Sequence, residues 1–188
     1  METSIIIGVL IAIAAIVVVG LLSWAYLKKQ RSRNLKSRFG PEYDRVVRKE
    51  GNVKRGEGVL AFREKKREAL NIHPLSSASR VEFSDRWNAV QAQFVDDPGG
   101  SVAKADSLVN QLMEARGYPM ADFEDRADII SVDHPHVVEN YRAAHSIALS
   151  RARGQTTTEA LRKAMVHYRS LFDELLHDTY VEKKEARA

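Results

Sequence analysis

Residues 5–27 read Ile-Ile-Ile-Gly-Val-Leu-Ile-Ala-Ile-Ala-Ala-Ile-Val-Val-Val-Gly-Leu-Leu-Ser-Trp-Ala-Tyr-Leu, without one charged side chain. As a helix at ~1.5 Å per residue the run is about 34 Å long. The hydrocarbon core of a bilayer is roughly 30 Å thick, so the run can cross it with some tilt. A helix satisfies all of its own backbone groups there. Trp24 and Tyr26 fall where an interfacial aromatic belt would lie. A buried core helix seldom reaches this length with no charge. A cleaved signal peptide needs a basic start and a shorter apolar core, whereas Met1-Glu2-Thr3-Ser4 holds no Lys or Arg. Ser23-Trp24-Ala25 mimics a cleavage site, but Lys28 and Lys29 follow at once.

The flanks orient the expected span. Lys28, Lys29, Arg31, Arg33, Lys36 and Arg38 lie on one side and no Lys or Arg lies on the other. The positive-inside rule puts the N-terminus outside and residues 28–188 in the cytoplasm, as a single-pass plasma (inner) membrane protein. The same six side chains are the expected membrane-surface residues, within reach of anionic lipid head groups. Gly8-x-x-x-Ala12 is a small-xxx-small pattern of the kind used for helix pairing, though frequent in Ala-rich spans.

The net charge of +4 hides a division of the chain. Residues 28–67 hold 15 Lys and Arg against 5 Asp and Glu, and residues 68–188 hold 14 against 19. The basic pI thus belongs to the segment beside the span, which argues against reading the whole chain as a nucleic-acid binder. Sparse aromatic interleaving in that segment (Phe39, Tyr43, Phe62) argues the same way. The chain has no cysteine, which removes disulfides, thiolate metal sites, palmitoylation and prenylation. Gly8 is not at position 2, so myristoylation is excluded as well.

Beyond the span the pattern is helical throughout. Gly40-Pro41 breaks the first helix and Pro41 opens a short second one, with Glu42 and Asp44 in its favourable first turn. Asn52 can cap a basic helix over 53–70, whose Gly56 and Gly58 weaken it. Its apolar contacts are expected at Val59, Phe62, Ala69 and Leu70, with Arg63-Glu64-Lys65-Lys66-Arg67-Glu68 solvated and the helix peripheral. Residues Ser76 to Ser79 offer several N-caps, and Ser79-x-x-Glu82 matches a capping box ahead of Phe83, Trp87, Val90 and Phe94, one face of a helix over 77–95. Asp97-Pro98 opens a helix over 98–116 with Val102, Ala105, Val109 and Leu112 inward and Gly117 as its stop.

A short helix over 122–131 buries Phe123, Ala127 and Ile130. Asp133 caps a helix over 134–152 with Val138, Tyr141, Ala144 or His145, and Ala148 on its face. Thr156-x-x-Glu159 caps the last helix, where Leu161, Met165, Tyr168, Phe172 and Leu175 recur at 4, 3, 4 and 3. The expected fold is all-α: one N-terminal transmembrane helix, then an antiparallel bundle of about four main helices plus one or two short ones. The expected divisions are 1–27 as anchor, 28–72 as basic juxtamembrane helical segment, 73–178 as bundle and 179–188 as a charged, frayed tail.

Arg38-Phe39-Gly40-Pro41-Glu42-Tyr43-Asp44-Arg45, Phe94-Val95-Asp96-Asp97-Pro98, Arg116-Gly117-Tyr118-Pro119, Ser131-Val132-Asp133-His134-Pro135 and Met165-Val166-His167-Tyr168-Arg169 together resemble an uncharacterised bacterial family of short single-pass membrane proteins with a helical cytoplasmic domain. The resemblance covers about residues 38–176. It implies a bacterial source, and no activity or site residue comes with it.

Catalytic and ligand-binding motifs are sparse. His134-x-His136 with Glu139, near Asp122, Glu124, Asp125, Asp128 and Asp133, has the right chemistry for a metal. His-Pro-His at a helix start points the two imidazoles apart, however, and acidic residues in first turns stabilise helices on their own account. His145 and His167 beside apolar faces read as core histidines before general bases. Gly56-x-Gly58 lacks the rest of a nucleotide loop. The sequence therefore names no catalytic, cofactor-binding or metal residue and no cofactor. The preferred reading is a membrane-tethered helical interaction module with a protein partner. The alternatives are a membrane-anchored enzyme with an unrecognised site, or an anionic-lipid or nucleic-acid-binding tether.

Overall fold

The computed structural model describes residues 2–177, with side chains from residue 16 onward. The described residues form eight helices joined by turns and short loops: α1 Glu2–Phe39, α2 Pro41–Glu50, α3 Val53–Glu68, α4 Ser77–Gln93, α5 Pro98–Ala115, α6 Phe123–Asp133, α7 Val138–Ala152 and α8 Thr158–Leu176. The all-α expectation holds, and α4, α5, α7 and α8 form the bundle. Among the described residues no helix is long and apolar enough to cross a membrane. Side chains 5–15 of the expected span, including the Gly8/Ala12 pattern, lie outside the described residues, as does the tail 179–188.

Helix α8 is the hub of the bundle and packs against α4, α5 and α7. Its expected face is buried: Leu161, Met165, Tyr168, Phe172 and Leu175 join Leu171 and Leu176 in the main core. Phe83, Trp87 and Val90 come in from α4, and the Trp87 ring stacks on Phe172 at 4.6 Å between centroids. Tyr168 donates its hydroxyl to Asp106 Oδ1 of α5 at 2.7 Å, the polar partner such a buried hydroxyl needs. Trp87 is buried, and its indole N–H has no hydrogen-bond partner among the described residues.

The caps explain the helix starts, with three shifts from the sequence reading. Asn52 caps α3 and Asp97 caps α5 as expected. The cap of α4 is Ser76 rather than Ser79, because the Ser76 hydroxyl accepts from the Ser79 N–H. The cap of α8 is Thr157 rather than Thr156, and Glu159 pairs with Arg162 instead of closing a box. Asp133 ends α6 and caps nothing; α7 starts at Val138 without a side-chain cap. Gly117 ends α5 in the left-handed region, at φ 86°.

The largest departure is α3. Leu60 is completely buried, Arg63 and Arg67 are nearly so, and Phe62 is 68 % exposed. Instead of lying at the periphery, α3 carries a second small core with Leu35 and Phe39 of α1, Tyr43 and Val46 of α2, and Val132 of α6. Gly56 makes this possible: a Cβ there would lie 2.9 Å from Val47, so its absence lets α2 and α3 approach closely.

Candidate functional site

The residues that join α2 and α3 to the bundle are charged. Glu42 sits in the first turn of α2, after Gly40, whose φ of 48° lets the chain reverse from α1. Its carboxylate is fully buried and accepts hydrogen bonds from three arginines. Arg63 of α3 donates at 2.7 Å, Arg142 of α7 donates twice at 2.7 and 3.0 Å, and Arg45 donates at 3.3 Å. Arg63 also holds Asp128 of α6 at 2.6 Å and donates to Ser131 Oγ at 3.2 Å. Ser131 Oγ in turn donates to the Asp128 carbonyl. One helix turn along α3, Arg67 donates to the buried Asp133 carboxylate. Lys66–Asp125 at 2.9 Å and Arg38–Glu64 at 3.0 Å flank the network on its more exposed sides.

The two central carboxyls are pushed in opposite directions. Burial alone would raise the pKa of Glu42. The hydrogen bonds from Arg142 and Arg63, with their charges, override that and hold it below the ordinary glutamate range. Burial pushes Asp128 up, and Arg63 and Arg142 offset this only in part, with the Glu42 charge adding to the rise. Breaking such a buried pair by removing one partner is far costlier than the pair's net worth, because a charge is then stranded away from water.

This arrangement reassigns the acidic cluster of residues 122–139. Asp122 caps α6 by accepting from the Asp125 N–H. Asp125, Asp128 and Asp133 pair with the basic face of α3, and Glu139 lies near Arg45 and Arg142 at 3.7 and 3.5 Å. His134 faces Glu174 of α8 at 3.1 Å. Among the described residues no three His or carboxylate side chains gather as metal ligands. Sequence reading missed Glu42, Arg63, Arg67 and Arg142 as a set. The available signal was the stripe Gly56, Leu60, Arg63, Arg67 at spacings 4, 3 and 4, a helix face on which arginine stands where an apolar residue is sought.

The two singled-out histidines lie apart in their contacts. His167 shares a hydrogen bond of 3.0 Å with Asn140 Oδ1. His145 stacks on Phe123 with ring centroids 3.7 Å apart, and burial lowers its pKa. His145 lines an open groove of about 510 Å³ with Arg45, Asp122, Phe123, Glu124 and Leu149.

The six expected surface cations divide. Lys28, Lys29, Arg31 and Arg33 are exposed, and Lys28 lies over the Trp24 ring at 5.4 Å. Lys36 lies near Asp44 at 3.9 Å and Arg38 pairs with Glu64, so these two bind α1 to α2 and α3. No family model, curated protein or solved structure matches the chain.

Proposed function

We propose that this chain is a single-pass membrane protein in which residues 5–27 cross the inner membrane and a cytoplasmic helical head acts as a tethered interaction module. The observation that carries this reading is the half of the span nearest the head. Ile16, Val17, Val18, Val19, Leu21, Leu22, Trp24, Tyr26 and Leu27 are all exposed, which is apolar surface around the whole helix circumference. Such a helix wants lipid or a partner on every side. Lys29, Arg31 and Arg33 follow directly, exposed and without an acidic partner among the described residues.

What the head adds is rigidity. Helix α1 is continuous from the span to Phe39, and Leu35 and Phe39 are buried in the small core. The head is therefore joined to its anchor without a flexible linker, which suits a module that presents a surface at a set distance from the bilayer. The absence of a recognisable nucleophile–base pair in the groove beside His145 sets the enzyme alternative second.

Two measurements test the reading. The protein should stay in the membrane pellet after alkaline washing, and a reporter active only outside the cytoplasm, fused after Ala188, should be silent. Release into the supernatant would remove the anchor, and a strong reporter signal would reverse the orientation. Affinity capture from detergent-solubilised membranes then identifies the partner.

A further inference from the structure

The contacts along α1 fix how α2 and α3 run relative to the span. Tyr43 lies 3.5 Å from Ser32 Oγ and donates to Glu57 at 2.9 Å, so it bridges α1 and α3. Leu35 and Leu60 share the small core, and Arg38 pairs with Glu64. The offset between α1 and α3 is 25 or 26 residues at all three levels, so α3 runs beside α1 in the same direction. Helix α2 runs back between them, with Asp44 beside Lys36 and Val47 against Gly56. Extended by the same offset, Val53, Lys54 and Arg55 fall level with Lys28, Lys29 and Gln30, where the apolar run ends.

Charge pairing changes along the same axis. Far from the span, Arg38, Arg45, Arg63, Lys66 and Arg67 are paired with carboxylates. At the α2–α3 turn Arg48, Lys49, Lys54 and Arg55 are exposed and, among the described residues, have no acidic partner; Val53 beside them is 53 % exposed. Lys65 is exposed and unpaired too, but it lies at the opposite end of α3, about 18 Å further out by helix rise.

We propose that the tip of the α2–α3 hairpin, Arg48, Lys49, Val53, Lys54 and Arg55, is a second membrane contact that docks on anionic phospholipid head groups beside the span. This rests on the reading of residues 5–27 as a membrane anchor. The span supplies one point of attachment and the tip a second, off its axis, so the head keeps one tilt and one rotational face toward the bilayer. Glu50 in the turn leaves a net charge of +3 over residues 48–55. Each basic side chain held at an anionic surface favours the docked state about five-fold, and the attraction fades within a Debye length.

The chain has no cysteine, so single-cysteine labelling is clean. Full-length Val53→Cys, Lys65→Cys and Ala25→Cys carry an environment-sensitive fluorophore in nanodiscs whose lipids bear a headgroup quencher, with either phosphatidylglycerol-rich or pure phosphatidylcholine bilayers. The label at residue 53 should be quenched strongly in the anionic discs. Quenching should weaken in phosphatidylcholine, in high salt, and when Arg48, Lys49, Lys54 and Arg55 are all changed to Gln. The label at residue 65 should stay unquenched in every condition. If residue 53 is quenched no more than residue 65 while residue 25 reports lipid, the anchor stands and the docked tip is overturned. Quenching at residue 53 that ignores lipid charge also overturns it. A water-exposed label at residue 25 overturns the anchor reading, and the proposal with it.

Discussion

The bundle core and the junction beneath it are built on different principles. Around α8 more than two dozen buried apolar side chains interdigitate, and the polar groups among them are few. At the junction six buried apolar residues share their space with Glu42, Arg63 and Arg67. The first region gains its stability from water excluded from apolar surface. The second is held in register by directional charge pairs, which add little net stability yet are costly to break singly. Packing thus makes the head, and charge pairing sets where the α2–α3 hairpin sits on it.

The sharpest contrast should come from truncating one residue in each region. Trp87→Ala should lower stability by about 3–5 kcal/mol in urea melts, since it empties a buried aromatic site stacked on Phe172. Trp87→Phe should cost far less, because it keeps a ring and removes an unpaired indole N–H. A Phe variant as damaged as the Ala variant would show that the indole N–H is satisfied. Glu42→Gln should cost about 3 kcal/mol by leaving Arg63 and Arg142 short of negative charge. The loss should be local, read as faster proteolysis within α2 and α3 while α8 stays resistant. Uniform proteolysis along the chain would merge the two regions into one cooperative unit.

Titration separates them further. The folded-state pKa of His145 is lowered, so the unfolded chain binds its proton first; stability falls as pH drops below the ordinary imidazole range. Glu42, also lowered, contributes stability above the ordinary glutamate pKa that is lost as pH falls through its folded value. Asp128 is raised and acts in the opposite sense, since the folded state takes up its proton first as pH falls. Asp128→Asn removes that opposing contribution, so acid melts of the variant should steepen near pH values where carboxylates titrate. A shallower profile would mean that the Asp128 shift has the other sign.

Much of the bundle is legible because its signals are redundant. Phe83, Trp87 and Val90, or Leu161, Met165, Tyr168 and Phe172, recur at helical spacing, and Asn52 and Asp97 stand where caps are needed. Cap choice among neighbouring candidates, Ser76 against Ser79 or Thr157 against Thr156, turns on backbone geometry that composition does not carry. The junction is harder for a deeper reason. Glu42 favours a first turn whether buried or exposed, and Arg63 and Arg67 look like a solvated face until partners from residues 128–142 are placed beside them. The stripe Gly56, Leu60, Arg63, Arg67 marks the inward face of α3 but not its partners, since nothing near Arg63 in sequence points to Asp128.

Smaller effects probe the edges of the junction. Asn52→Ala should cost about 1 kcal/mol, because the side chain accepts from the N–H groups of Lys54 and Arg55 at the start of α3. Phe62→Ser should change stability by under ~0.5 kcal/mol, as that ring is exposed. A loss of several kcal/mol at Phe62 would place it inside and α3 in another rotation.

Hydrogen exchange of the full-length protein in nanodiscs, read by mass spectrometry over α2, α3 and α8, tests the integral junction most directly. The account predicts that amides of α2 and α3 are strongly protected in the unchanged chain, approaching those of α8. It also predicts that Glu42→Gln strips protection from α2 and α3 while leaving α8 slow. Amides of α2 and α3 that exchange as fast as unstructured chain before any substitution would contradict it, and would return residues 41–68 to the loose basic tether that their composition suggests.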